Sequence, residues 1–148
     1  MTSVVLSPLY GYTVATAVVS SLLTVFLGSK VTNFRKIAQV PLPFLYADQA
    51  DAMQDHNKYL FNCYQRVHQN TLEGFSAYLV LLLFCGIWYP IPAAVLGDIW
   101  ILGRIFYYRG YTTGDPHKRM HGAFGHLGEF GLMGLAGKIA YDLIVSTA

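Results

Sequence analysis

The run FSAYLVLLLFCGIWYPIPAAVLGDIWIL, residues 75–102, decides the fold class. Its one charge is Asp98, and prolines 90 and 92 interrupt it. Proline lacks the backbone donor that a helix interior needs. The run therefore reads as the end of one apolar helix, a stop at Tyr89-Pro-Ile-Pro, and the start of the next. A membrane-crossing helix takes about 20 mostly apolar residues. Extending each side outward to that length predicts helices over 61–89 and 93–111. Residues 1–29 carry no charge at all, which predicts a first helix over 5–30. A fourth is expected over 122–145, after the turn-forming stretch Thr112-Thr-Gly-Asp-Pro. Residues 31–60, with Pro41, Pro43, Asp48, Asp51 and Asp55, read as a polar loop. The expected fold is an all-α integral membrane protein, a single four-helix domain over 1–148.

Composition agrees. The chain is 54% hydrophobic and 12% charged, against roughly 25% charged in soluble domains. A net charge of +2 without a basic run gives no reason to expect nucleic acid. Cys63 and Cys85 form no CxxC motif and imply no disulfide framework. No basic segment precedes the first apolar run, so no cleavable leader is expected.

Nine of the ten Lys and Arg residues lie in or near the first and third connections, and only Lys138 does not. The positive-inside rule then puts those two connections in the cytosol. Trp88, Tyr89, Trp100, Tyr107, Tyr108 and Tyr111 suit interfacial belts.

Two stripes carry chemistry. Asn62, Arg66, Asn70 and Glu73 recur at helical spacing and share one face, flanked by Gln65 and Gln69. The ordinary reading is a solvated helix extension with an Arg66–Glu73 pair. The other is a polar wall facing a wet cavity, where ionisable groups in spanning helices belong. Arg104, Tyr107, Tyr108 and Tyr111 form a second stripe, whose ordinary reading is an aromatic belt with a snorkelling arginine. Both stripes fall at the same end of the bundle. Together they offer cations, a carboxylate, amides and phenols, a set suited to a small zwitterionic or polyanionic ligand.

Other features read more plainly. His117, His121 and His126 are loop and helix-start histidines rather than a metal set, and no metal is expected. Glycines 122, 125, 128, 131, 134 and 137 recur every third residue, which points to close helix packing. Lys138 with Asp142, and His126 with Glu129, are spaced to pair. Asp98 sits alone at the expected interface. Cys63 is expected to be inert, as buried cysteines are.

The segments FNCYQRVHQNTLE (61–73) and GRIFYYRGYTTGDPHKR (103–119) carry a resemblance. The chain resembles the membrane-associated proteins in eicosanoid and glutathione metabolism, the MAPEG superfamily, and looks closest to the type-three microsomal glutathione transferases. The resemblance implies a homotrimer of four-helix subunits in the endoplasmic reticulum membrane, with the mitochondrial outer membrane as the other candidate. It implies glutathione as co-substrate, bound near the cytosolic face between subunits. Motif by motif, Arg66, Asn70, Glu73, Arg104, Tyr107 and Tyr111 fall on glutathione contacts. Arg35 and Lys36 match basic residues that reach a neighbour's site, and His68 matches a polar contact. The thiol-activating arginine falls on Arg119 or, one residue earlier, on Lys118. Gly74 departs from the leukotriene C synthase pattern, which has tyrosine there.

The chemistry fits these groups. Arginines clamp carboxylates bidentately, Glu73 can accept from an amine, and tyrosines can bond peptide groups. The thiolate is the nucleophile, yet a thiol of pKa about 8.5 is only slightly ionised at neutral pH, so a cation against the sulfur is needed. The expected partners are glutathione, membrane lipids, and a lipophilic electrophile such as a leukotriene A-type epoxide or a lipid hydroperoxide. The expected activity is that of a glutathione transferase and peroxidase. Two other readings stand beside it: a non-catalytic lipid-binding scaffold of the lipoxygenase-activating type, and an ion or proton conductor built on Glu129, Lys138 and Asp142.

Overall fold

A computed structural model describes residues 6–146. Five α-helices run in order: α1 Tyr10–Ile37, α2 Gln49–Gln54, α3 His56–Trp88, α4 Pro90–Tyr111 and α5 Gly125–Val145. A 3-10 helix, Pro116–Gly122, joins α4 to α5.

The stop at the prolines is as expected. Only Tyr89 separates α3 from α4, and Pro90 opens α4, where a missing N–H costs nothing. Several expected boundaries shift. The first helix ends at Ile37 rather than near 30, because Val31 is buried and Phe34 stacks on Tyr64 with ring centres 3.8 Å apart. The apolar spacing thus outlasts the charge-free stretch. The polar loop is correspondingly shorter than 31–60. It contains α2, capped by Asp48, and it ends where Asp55 accepts from Asn57 N–H at 2.8 Å to start α3. At the other end, α5 begins at Gly125, since Pro116 and the Asp115 cap start a 3-10 turn instead. In the connection before it, Gly114 takes φ +85°, a left-handed turn that suits glycine.

Two cores hold the bundle. The larger joins α1, α3, α4 and α5 through Ala17, Tyr78, Leu82, Cys85, Trp100, Leu132 and Ile139. Trp100 is 1% exposed and stacked on Tyr78 at 3.9 Å. It is therefore a core residue and not part of an interfacial belt. The smaller core, Val31, Ala38, Val40, Ala47 and Phe61, anchors the connection between α1 and α2. Arg35 fastens this connection by donating to the Phe44 carbonyl at 2.7 Å and lying over the Phe61 ring. Asn62 exchanges two hydrogen bonds with the backbone of Ala47.

The glycine ladder sets how closely α5 approaches α4. A Cβ on Gly103 would stand 2.3 Å from Gly125 Cα, and one on Gly128 would stand 2.3 Å from the Leu96 carbonyl oxygen. A three-residue repeat drifts around a 3.6-residue helix, so Gly134 and Gly137 have rotated to open space.

Among the described residues, three helices are long and apolar enough to cross a membrane: α1, α3 and α4. At 21 residues, α5 spans about 30 Å at 1.5 Å per residue. However, Glu129, Lys138 and Asp142 all fall within its length, so it is less uniformly apolar. Large side chains such as Val18, Leu22, Val25, Leu127 and Phe130 lie exposed on the outside of the bundle. An outward apolar surface of this extent suits contact with lipid.

Candidate functional site

The basic end of the bundle is indented by a cleft of about 520 Å³. Such a volume falls within the roughly 300–1,000 Å³ of small-molecule sites. Three elements supply its charged and polar wall. α3 contributes Arg66, Asn70 and Glu73, α4 contributes Arg104 and Tyr107, and the 3-10 helix contributes Arg119. The opening turns of α5 close the remaining side with His126 and Glu129.

These groups bond in series. Arg104 Nη1 donates to Asn70 Oδ1 at 2.9 Å, Asn70 Nδ2 donates to Glu73 Oε2 at 3.4 Å, and Arg66 Nη1 donates to Glu73 Oε1 at 3.0 Å. Arg104 also lies over the Trp100 and Tyr107 rings, 5.1 and 5.9 Å from their centres. One chain of contacts thus holds two guanidinium groups apart on either side of a carboxylate and an amide. Each guanidinium keeps further N–H groups beyond those it uses here. The cleft can therefore offer two cationic forks, a carboxylate acceptor and a phenol to a ligand that carries both signs of charge.

The remaining sequence candidates lie elsewhere in the single chain. Asn62 shares the α3 stripe but holds Ala47 instead. His68 turns to α1, where its Nε2 stands 3.3 Å from a Cβ built on Gly28. Arg35 is engaged with its own connection, and Lys36 is exposed at the end of α1. Tyr108 leaves its stripe to pack edge-on against Phe26 and Tyr64. Lys118 lies 3.9 Å from Asp115 and is absent from the cleft wall, while its neighbour Arg119 lines it. Asp98, expected to be alone, accepts from Thr16 Oγ1 at 3.0 Å.

Tyr111 packs on Tyr107 with ring centres 5.6 Å apart, but it lines a second cavity of about 420 Å³. Tyr46, Met53, Tyr59, Cys63 and Pro116 also line it, and Arg66 stands on the wall between the two spaces. Tyr46 donates to Gln69 Oε1 at 2.6 Å. Burial pushes its phenol above the usual range, against the opposing pull of Arg66, so it remains a donor.

His126 and Glu129, spaced to pair along the sequence, do so at this cleft, which their spacing alone does not indicate. The signal was present in Gly103, Gly122 and Gly125, whose mutual approach draws the start of α5 against α4 beside Arg104. Among the described residues, no group of three or more His, Cys, Asp or Glu side chains is arranged to hold a metal ion.

Comparison with known proteins agrees with this architecture. A 63-residue stretch is 44% identical to sll1147, an uncharacterized protein of Synechocystis sp., covering 42% of this chain and 46% of that protein. The match thus spans less than half of that relative's length. The model of the MAPEG family matches residues 13–141, from the second turn of α1 to the last turns of α5. With three apolar helices able to cross a bilayer and a family match over nearly its whole length, this integral membrane protein belongs to the MAPEG family.

Proposed function

We propose that the chain is a membrane-bound glutathione transferase with glutathione-dependent peroxidase activity, similar to the type-three microsomal glutathione transferases. One observation carries this reading: Arg66, Asn70, Glu73, Arg104, Tyr107 and Arg119 line one cleft. Glutathione has two carboxylates, an α-amine, two peptide groups and a thiol. Arg66 and Arg104 hold the carboxylates, Glu73 accepts from the amine, and the Tyr107 phenol bonds a peptide group. Arg119 stands against the sulfur and favours the thiolate. Each pKa unit by which it lowers the thiol reflects roughly 1.4 kcal/mol. An electrophile soluble in the bilayer, an epoxide or a lipid hydroperoxide, reaches the sulfur from the lipid side. With Gly74 in place of a tyrosine, the cleft has no aromatic ring at that point of its wall.

The active form in this proposal is a homotrimer of four-crossing subunits in the endoplasmic reticulum membrane, with α5 as the fourth crossing. Arg35 and Lys36, which do not line the cleft of their own chain, then reach the site of a neighbouring subunit. A second reading, lipid binding without catalysis, is favoured by the second cavity, whose lining is largely aromatic and apolar.

Calorimetric titration of glutathione into the detergent-purified protein separates the two. Saturable binding that Arg66→Ala weakens is expected. A folded wild type that takes up no glutathione would overturn the transferase reading and favour a lipid ligand.

A further inference from the structure

The cleft has a side that glutathione binding does not use. On α5, His126 Nδ1 lies 3.3 Å from Glu129 Oε2. The Glu129 side chain is 18% exposed and the His126 side chain 57%. Glu129 Oε1 looks across to α3, 4.0 Å from a Cβ built on Gly74. The carboxylate is therefore set between two helices, and the imidazole leans on it from the open side. Among the described residues His126 Nε2 has no hydrogen-bond partner. An exposed ring keeps contact with water and can be recharged with protons. A carboxylate on one ring nitrogen orients the imidazole and leaves the other ring nitrogen to face the cleft.

We propose that His126, oriented by Glu129, is the proton donor to the second reactant in this cleft. The proposal rests on the glutathione reading above and adds a role that the glutathione contacts leave empty. With an epoxide, the thiolate sulfur forms a C–S bond as the C–O bond breaks, and the oxygen takes the electron pair of that bond. The Nε2 proton goes to this oxygen, giving the alcohol, and the neutral imidazole then regains from solvent the proton that the thiol released on becoming the thiolate. With a hydroperoxide, the sulfur attacks the distal oxygen and the O–O bond breaks. Sulfur is oxidised to the sulfenic acid, and the departing alkoxide takes the Nε2 proton. A second glutathione then reduces the sulfenic acid, giving glutathione disulfide and water. An aryl chloride needs no such donor, because chloride leaves unprotonated. The two substrate classes thus differ in their need for His126 while sharing every step that makes the thiolate.

The test uses the full chain in detergent with glutathione and two acceptors, styrene oxide and chlorodinitrobenzene. Its readout is the ratio of the two turnover rates, which partial misfolding does not move. His126→Gln is expected to lower the epoxide-to-aryl-chloride ratio by about a hundredfold, the size of a general acid's contribution. Glu129→Gln, which keeps the shape but removes the charge behind the ring, is expected to lower it less. The ratio with cumene hydroperoxide in place of the epoxide should fall with it. An unchanged ratio in His126→Gln, with glutathione still bound by the wild type, would overturn this role alone. A wild type that binds no glutathione would instead overturn the reading on which it stands.

Discussion

The two ends of the helix bundle both contain polar side chains, and they use them differently. At the far end, several are closed onto a neighbour. Thr13 donates to the Pro90 carbonyl at 3.0 Å, Thr16 to Asp98, and Tyr78 to the Gly97 carbonyl, while Lys138 joins Tyr89 and Asp142. Those of Thr13, Thr16 and Tyr78, and that of Lys138 to Tyr89, tie one helix to the next, as polar groups in membrane helices do. At the basic end the polar groups also bond one another, but their chain runs along the wall of a 520 Å³ opening with donors left over. Polarity within a membrane bundle is thus glue where its bonding capacity is satisfied and a site where capacity remains facing a space. Lys138 and Asp142 bond each other at the far end, and Glu129 belongs to the cleft.

Substitutions at the two ends can break or sharpen this contrast. The largest effect is expected from Arg119→Ala, which should lower glutathione-conjugating turnover by about a hundredfold or more, as loss of one preorganised charge-stabilising group does, with a smaller change in glutathione affinity. Steady-state kinetics beside calorimetry would show it. If Lys118→Ala gave that loss instead, thiol activation would belong to the residue that sits beside Asp115. Next, Arg66→Ala should weaken glutathione binding by about tenfold, in line with about 1.5 kcal/mol or more for a hydrogen bond to a charged group. Glu73→Ala should act in the same direction. Normal affinity in both would make the α3 stripe a solvated face.

A smaller effect is expected where the two helices touch. Gly103→Ala puts a methyl into the Gly125 backbone and should destabilise the fold by about 1–3 kcal/mol, the usual cost of overpacking. It should also weaken glutathione binding, because the start of α5 is pushed off the cleft. Gly137→Ala meets nothing within 4 Å and serves as the matched control, with stability equal to or above that of the parent. Thermal unfolding in detergent measures both. The smallest effect belongs to the far end. Thr16→Val keeps the shape, removes the hydrogen bond to Asp98, and should cost about 1 kcal/mol while leaving glutathione affinity as it was. A loss of affinity there would mean that the two ends are coupled, and the contrast between glue and site would fail.

How far the chain could be read in advance depends on the kind of information each feature needs. Apolar length, prolines 90 and 92 and the bias of basic charge are local along the chain. They were enough for helices, membrane and a basic end, because the bilayer constrains length and charge directly. The stripe of Arg66, Asn70 and Glu73 was legible for the same reason, being a matter of helical period. Boundaries were less so. α1 runs on to Ile37 because Phe34 finds Tyr64, a contact between residues thirty apart in the chain. Period assigns a face only broadly, and packing then divides the face. Asn62 goes to Ala47, Tyr108 goes to Phe26 and Tyr64, and His68 goes to Gly28, while Arg66, Tyr107 and Arg119 reach the cleft. Which of adjacent Lys118 and Arg119 lines the cleft is set by a 3-10 turn whose backbone is pressed against Gly110. By itself, then, the sequence determined that this is an apolar helical protein with a charged end and two chemically complementary stripes. Only the tertiary structure decided which of those side chains share a space and that His126 and Glu129 join them, because helix separation, set here by glycines 103, 122 and 125 meeting backbone to backbone, is a property of two surfaces and not of one chain segment.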